Sequence, residues 1–489
     1  MTAVLSGPPG ASGPAGSGAS GSSAASGSSG ASGASGSSGS SGSSGASGAD
    51  LVPALGPVPK VKQPTAAERT LANGLRVLAV RRPGVPLVEV RLRVPFAGTA
   101  ASHPARASLL SNTLLAGTER HDQVELAAAL QALGADLHVS ADADRLMVGG
   151  TVLRTGLAPL LDLLAEVVTT AAYPSREVAG ERARLVEGLA IARSQPSVLV
   201  GEAINRRLHG DHPYARELPT VEAVAAVTPG QLRKLHADRV LPAGAVLVLV
   251  GDLSPARALD TVEKALSPWT GTATGRSGPP PLPSSGPQPL LLLDRPGAVQ
   301  ASIRLGGRAV PRDAPDYPAL QLANLVFGGY FSSRLVENIR EDKGYTYGPH
   351  SRISHGVAGS RLVIDADVST DVTAPALLEI WYELGRMATL PVKPEELENV
   401  RQYAVGTLAL SIATQAGLAS TLSALIGVGL GLDWLRSHPR ALAGVTLDEV
   451  ADAARRYLAP AGMVAVVLGE AGAVGDPLRT LGPVELGSA

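Results

Sequence analysis

The chain is 489 residues long, carries 42 basic and 43 acidic residues, and contains no cysteine. This length predicts two or more domains, because a typical domain has roughly 100 to 200 residues. The balanced charge argues against a nucleic-acid-binding or membrane-surface protein, and the lack of cysteine excludes disulfides, thiolate nucleophiles and cysteine metal ligands.

Two low-complexity segments punctuate the chain. Residues 1–50 are almost entirely Gly, Ser, Ala and Pro, and such a composition buries too little apolar surface to offset chain entropy, so we expect a disordered tail. Residues 270–289 are rich in Pro and Gly and predict an interdomain linker. The N-terminus lacks the features of a signal peptide, and no window reaches about 18 uninterrupted apolar residues. We therefore expect a cytoplasmic protein with no membrane partner.

The segments on either side of the predicted linker repeat each other. Arg82-Pro83-Gly84, near the start of the first segment, recurs as Arg295-Pro296-Gly297 in the second. Val227-Thr228, near the end of the first segment, recurs as Val445-Thr446. Because the matches occur at both ends, the two segments are predicted to be equivalent domains.

Hydrophobic periodicity predicts strands at both ends of each segment with helices between them. In the first segment the predicted elements are strands at 71–80 and 87–94, helices at 104–116 and 121–133, a middle strand region, helices at 156–170, 176–193 and 229–238, and a strand at 245–250. Asn73-Gly74 predicts a hairpin turn inside the first strand region. We therefore expect an α+β fold of two homologous domains, 51–269 and 290–483, each with a mostly antiparallel sheet packed on a layer of helices.

The most specific motif lies in the second domain. Residues 327–348 read FGGYFSSRLVENIREDKGYTYG, which is very similar to the C-terminal-domain signature of the insulinase (pitrilysin) family of zinc metallopeptidases. Its parts are a glycine-rich turn at Gly328 and Gly329, a Ser-Ser-Arg-Leu helix start, and an Arg-Glu-x-Lys-Gly end that leads into a strand bearing a Tyr. The resemblance extends over the duplicated domains and implies a clamshell around a cavity.

The same stretch is rich in aromatic residues, although the whole chain has only 3 Phe and 9 Tyr. For Phe327 and Phe331 we favour an aromatic minicore that closes the helix on its sheet. For Arg340 and Tyr347, the resemblance implies side chains that reach across the cavity and hold the substrate carbonyl or the tetrahedral intermediate. A guanidinium and a phenol are suitable donors to a developing oxyanion. The alternative is a weak ion pair of Arg340 with an acidic residue of the same helix end, Glu337 or Asp342.

The first domain of the family carries the zinc motif His-x-x-Glu-His on a helix, with two imidazole ligands and a general base on one face. The aligned positions of this chain are Ser108, Ser111 and Asn112. These side chains offer two hydroxyls and an amide, so we expect no zinc in this chain and no intrinsic catalytic residue.

The family's third zinc ligand is a Glu on a later helix, and Glu181 resembles it in its surroundings. One carboxylate cannot hold Zn²⁺, which needs three protein ligands in a catalytic site. Glu181 is therefore either a relic ligand or a structural partner of Arg182 or Arg184. The histidine-containing segment 209–214 is interpreted as a structural loop, because it resembles a loop that active members carry away from their zinc.

The resemblance implies a non-catalytic subunit that pairs with a zinc-bearing family member and binds a peptide substrate, as in bacterial heterodimeric peptidases and the alpha subunit of mitochondrial processing peptidase. No cofactor is expected in this chain, and zinc is expected in the partner. One alternative is a stand-alone scaffold or peptide-binding protein. A hydrolase that uses Ser108 or Ser111 as nucleophile is disfavoured, because no His or Lys base is placed nearby and no nucleophile elbow surrounds them.

Overall fold

The computed structural model describes residues 65–271, 278–284 and 286–488. The tail predicted at 1–50 lies outside the described residues, as do residues 272–277 and 285 of the predicted linker. Two six-stranded sheets organise the described part of the chain. We call residues 65–271 the first lobe and residues 286–488 the second lobe.

The first lobe follows the predicted order of strands, helices and a return strand. Its elements are β1 (Ala66–Thr70), β2 (Arg76–Arg81), β3 (Leu87–Pro95), α1 (His103–Thr113), α2 (Gln123–Ala132), β4 (Asp136–Ala141), β5 (Arg145–Leu153), α3 (Leu157–Thr170), α4 (Ser175–Ser194), α5 (Pro196–His209), α6 (Val221–Ala225), α7 (Pro229–Arg239), β6 (Val246–Gly251) and α8 (Pro255–Leu266). The Asn73-Gly74 turn is present between β1 and β2, and Gly74 adopts a φ of 89°, a backbone conformation that favours glycine.

The second lobe repeats this order and adds π-helical segments around its signature motif. Its elements are β7 (Leu290–Asp294), β8 (Gln300–Ala309), α9 (Tyr317–Asn324), a π-helical turn (Leu325–Gly329), α10 (Arg334–Val336), a second π-helical segment (Glu337–Asp342), β9 (His350–Gly356), β10 (Gly359–Ser369), α11 (Thr373–Thr389), α12 (Pro394–Ser411), α13 (Gln415–Ile426), α14 (Leu432–Gly444), α15 (Leu447–Tyr457), β11 (Val464–Gly469), α16 (Ala471–Arg479) and β12 (Val484–Ser488). The sheet thus continues beyond residue 483, the predicted end of the second domain.

The two sheets share a strand order. The first runs β1-β2-β6-β3-β5-β4 and the second runs β12-β7-β11-β8-β10-β9, so β2 to β6 correspond to β7 to β11. The outermost strand differs, because β1 is antiparallel to β2 whereas β12 is parallel to β7. The pairs β2–β6 and β7–β11 are parallel and the other inner pairs are antiparallel. The predicted α+β fold with two sheets packed on helices is therefore confirmed.

Each sheet packs on helices of its own lobe with one face and on a helix of the other lobe with the opposite face. Side chains alternate between the two faces of a strand, so Leu247 and Leu249 of β6 lie in the core of the first lobe. Val248 and Val250 point the other way and contact α13 of the second lobe. In the same manner α5 of the first lobe packs on β11 of the second. This exchange of helices joins the two lobes through apolar contacts.

Polar contacts join the lobes at the tip of the β9–β10 hairpin. The Tyr214 hydroxyl lies 2.7 Å from both carboxylate oxygens of Asp144 and donates to this carboxylate. The hairpin supplies two backbone N–H groups: Val357 donates to Asp144 Oδ2 at 2.9 Å and Ala358 donates to the Tyr214 oxygen at 3.0 Å. Tyr214 is 9% exposed, and burial, followed by the Asp144 charge, raises the pKa of its hydroxyl. The predicted structural role of the 209–214 loop agrees with these contacts.

Candidate functional site

The degenerate motif positions lie on α1, as predicted. Ser108 is half-buried, Ser111 is buried and Asn112 is exposed. The Ser111 hydroxyl donates to the Ser108 carbonyl oxygen at 2.9 Å, which is a local bond within the helix. No imidazole or amine accepts a hydrogen bond from either serine within the described ranges, so the site lacks the base that a serine nucleophile needs.

Glu181 lies on α4, which packs against α1. Its carboxylate accepts a hydrogen bond from Arg184, one turn further along the same helix. Nowhere in the described part of the chain do three or more His, Cys, Asp or Glu side chains group together so that they could hold a metal ion. The zinc that the family's active members bind therefore does not fit the residues present here.

The glycines of the signature occupy the π-helical turn that continues α9. Neither has a positive φ, so these positions do not need glycine for the left-handed backbone region. Close packing explains these glycines instead. A Cβ at Gly328 would lie 3.0 Å from Ser351 Oγ, and one at Gly329 would lie 2.8 Å from Asn324 Nδ2.

Arg340 and Tyr347 lie close together, although they are seven positions apart in the chain. Arg340 belongs to the second π-helical segment, and its Cζ lies 4.8 Å from the centre of the Tyr347 ring. Tyr347 is 86% exposed and sits in the loop before β9, not on the predicted strand. Thr346 anchors this loop, because its hydroxyl donates to the Asp367 carbonyl oxygen at 2.6 Å.

The guanidinium of Arg340 is available to a ligand. Its ion-pair partner in the described part of the chain is Glu341, with 3.2 Å between Nε and Oε1. The alternative prediction of an ion pair with Glu337 or Asp342 is therefore wrong. This contact lacks hydrogen-bond geometry, and no other protein acceptor receives a hydrogen bond from the Arg340 side chain among the described residues. Its planar set of N–H donors can therefore serve an external oxygen.

A buried polar network fixes the helical segment that carries Arg340. The Asn338 amide donates to Glu383 Oε1 at 2.7 Å and to Glu379 Oε2 at 3.0 Å, and both carboxylates belong to α11. Glu383 is fully buried and also accepts hydrogen bonds from Arg386 at 2.8 and 3.0 Å. Since buried carboxylates are costly unless they are paired, this network ties the segment to α11 with little freedom.

The two phenylalanines of the signature have different surroundings. Phe327 is fully buried in the core of the second lobe, which agrees with the predicted minicore. Phe331 is 66% exposed, and its ring lies 4.7 Å from Arg340 Cζ. The minicore prediction is therefore wrong for Phe331, and this residue joins the candidate site. Its aromatic neighbours in the sequence were the available signal, but only the fold shows which ring faces outward.

No single described helix is long and apolar enough to cross a membrane. Together α12 and α13 meet the criteria of length and composition, but they are bent by 109°. The inner helix, α13, is the one that packs on the first-lobe sheet.

Comparison with known proteins connects both lobes to one peptidase family. Residues 78–220 match the model "Insulinase (Peptidase family M16)", and residues 226–403 match "Peptidase M16 inactive domain". An uncharacterized zinc protease of Mycobacterium leprae is 29% identical over 290 residues, 58% of this chain and 65% of that protein. A zinc protease of Bacillus subtilis is 23% identical over 349 residues, 70% of this chain and 83% of that protein. The chain thus aligns with slightly less than two thirds of the mycobacterial relative.

Solved structures agree with the sequence matches. The crystal structure of a peptidase M16 inactive domain from Pseudomonas fluorescens has a TM-score of 0.76 and 25% identity, covering 83% of this chain and 98% of that one. A protease from Helicobacter pylori has a TM-score of 0.77 and 17% identity, covering 83% and 100%, and supports the fold alone. The family matches, the shared fold and the signature residues give one conclusion: the chain belongs to the insulinase (M16) peptidase family, and it lacks the family's zinc motif.

Proposed function

We propose that this chain is the non-catalytic subunit of a heterodimeric metalloendopeptidase that acts on peptides or small unfolded proteins. A second insulinase-family subunit with an intact His-x-x-Glu-His motif would bind the zinc. The observation that carries the proposal is the division of groups between the lobes. The first lobe has no metal ligands at Ser108, Ser111 and Asn112. The second lobe presents Arg340 beside the exposed Tyr347, and the Arg340 side chain donates no hydrogen bond to any other described residue.

The chemistry of this pair suits the binding of a peptide carbonyl. Arg340 can donate N–H groups to the carbonyl oxygen, or to the two oxygens of a tetrahedral intermediate through its planar fork, and the Tyr347 phenol can add a further donor. Such donors bind more strongly as negative charge develops on the oxygen. In this proposal Arg340 and Tyr347 orient the scissile peptide and stabilise the oxyanion, while activation of water belongs to the partner.

The direct experiment is coexpression with zinc-bearing insulinase-family proteins encoded in the same genome. We expect one of them to coelute with this chain in size-exclusion chromatography and the pair to cleave a quenched-fluorescent peptide pool. A chelator should abolish this activity, and added zinc should restore it. A chain that forms only a homodimer, with no effect on any candidate's activity, would contradict the proposal and favour the scaffold alternative.

A further inference from the structure

Two aromatic rings enclose the Arg340 guanidinium. Its Cζ lies 4.7 Å from the centre of the Phe331 ring and 4.8 Å from the centre of the Tyr347 ring. Both rings are largely exposed, at 66% and 86%, whereas the Arg340 side chain is only 26% exposed. The guanidinium is thus more buried than the two rings beside it.

This arrangement restricts the cation without using its hydrogen-bond donors. A ring within about 6 Å of a guanidinium attracts it through the ring quadrupole, and this attraction uses no oxygen or nitrogen acceptor. The N–H groups lie in the plane of the guanidinium and remain free for an oxygen ligand. A free arginine side chain has about 2 kcal/mol of rotamer entropy to lose on binding, so restraint before binding favours the bound geometry.

Phe331 is itself held in place. It lies in the turn between the first π-helical turn and α10, where the Ser333 N–H donates to the Tyr330 carbonyl oxygen at 3.2 Å. The next residue, Arg334, is 7% exposed and donates from Nε and Nη2 to the two carboxylate oxygens of Glu396, each at 2.8 Å. This bidentate pair fixes the turn on α12. The backbone that carries the exposed Phe331 ring is therefore held in place.

We propose that Phe331 is a positioning residue that holds the Arg340 guanidinium against Tyr347 and turns its N–H groups toward the bound carbonyl. The inference rests on the proposed function and assigns to that site a residue outside the Arg340 and Tyr347 pair. Among the described residues, the Phe331 ring has this one cationic neighbour.

The kinetic test uses the assembled pair and separates the effect of the aromatic face of Phe331 from the effect of its apolar surface. Phe331→Leu keeps an apolar side chain but has no aromatic face, so kcat should fall about two- to fivefold with KM nearly unchanged. Phe331→Trp and Phe331→Tyr should retain wild-type kcat. The matched control is Tyr382→Leu, because Tyr382 is 56% exposed and lies 5.7 Å from another guanidinium, that of Arg386; it should leave kcat unchanged.

A double-mutant cycle distinguishes the possible failures. In an Arg340→Ala background, Phe331→Leu should have no further effect, because the group that it positions is absent. Equal losses in both backgrounds, or wild-type kcat for Phe331→Leu, would overturn this inference. If Arg340→Ala itself retained wild-type kcat, the proposed function would fail instead.

The isolated chain gives a readout that does not depend on peptidase activity. Ring currents should shift the Arg340 Hε resonance upfield in a spectrum of ¹⁵N-arginine-labelled protein, with the assignment made by its loss in Arg340→Lys. Phe331→Leu should move this resonance downfield, while Phe331→Trp and Tyr382→Leu should not. An Arg340 Hε resonance at the same position in wild type and Phe331→Leu would show that the rings do not enclose the cation in solution.

Discussion

The corresponding helical regions of the two lobes have kept different chemical groups. In the first lobe, α1 retains its buried apolar residues, including Leu109 and Leu110, but presents hydroxyls and an amide at the motif positions. In the second lobe, the stretch after α9 retains Arg340 beside two exposed rings. The difference shows that the fold depends on the apolar pattern and tolerates the loss of polar site residues. Side chains that make few contacts with the rest of the fold contribute little to its stability. We therefore look for a functional explanation of such a site.

We expect the greatest loss of activity from a substitution of Arg340, the cation of the second lobe. Arg340→Ala in the assembled pair should lower kcat about a hundredfold or more, since one lost donor to an oxyanion costs roughly 2.7 to 4 kcal/mol. Arg340→Lys should rescue only partly, because an ammonium lacks the planar fork. Steady-state kinetics measures this, with Arg436→Ala as the control, because Arg436 pairs with Asp433 on the surface of α14. Wild-type kcat in an assembled Arg340→Ala complex would remove the second lobe from the chemistry.

The next effect concerns the polar contact between the lobes. Tyr214→Phe should lower the free energy of unfolding by about 1 to 3 kcal/mol, because it removes one of the donors to Asp144 and leaves the Ala358 N–H without its acceptor. The control is Tyr403→Phe, whose ring is 42% exposed, and it should change stability by less than about 0.5 kcal/mol. Urea denaturation compares the two variants. Equal unfolding free energies for both would mean that the hairpin contact adds no stability.

The free energy of unfolding should depend on pH through His438, a buried histidine of the second lobe. Burial, followed by the charge of Arg312, lowers the pKa of this imidazole to about 4. An unfolded histidine titrates near 6.5, so the unfolded chain binds this proton first. The contribution of His438 is fully present above about pH 6.5 and is lost as pH falls toward 4. Between pH 6.5 and 5 the loss should be roughly 1 to 2 kcal/mol.

His438→Gln should therefore flatten the pH dependence of stability in this window. His350 provides a contrast, because its hydrogen bond to Asp365 raises its pKa; its contribution is present below its unfolded pKa and is lost as pH rises. Denaturation at a series of pH values tests both. The same acid slope in wild type and His438→Gln would contradict the assignment of a neutral buried His438.

We expect the smallest effect at two equivalent helix caps, one in each lobe. Thr228 and Thr446 begin equivalent helices, and each forms a capping box, with Gln231 and Glu449 respectively. Thr228→Ala and Thr446→Ala should each cost about 1 kcal/mol. Thermal and urea unfolding of the two variants should give similar losses. A loss confined to one of the two lobes would show that the equivalent caps have different energetic roles.

Local signals allowed much of the fold to be predicted. The Asn73-Gly74 turn and the repeated Val-Thr pairs that begin two equivalent helices can be recognised in short stretches of sequence, and the structure agrees with them. The helices α5 and α8 were not predicted. The packing of α5 on the sheet of the other lobe became visible only in the fold. The orientation of Phe331 likewise depends on tertiary position. The sequence motif predicted Arg340 and Tyr347 as a pair. The contact of Arg340 with a second ring, that of Phe331, could be seen only in the fold.

In the proposed complex, this chain supplies donors to the zinc site of a partner and binds no zinc itself. The most direct measurement is zinc content together with peptidase rate, for each subunit alone and after mixing. We predict no stoichiometric zinc and no peptide cleavage for the isolated chain, about one zinc in the partner, and a rise in kcat on mixing that Arg340→Ala prevents. Tightly bound zinc at about one ion per chain here, or a partner whose kcat is unchanged on mixing, would contradict the account.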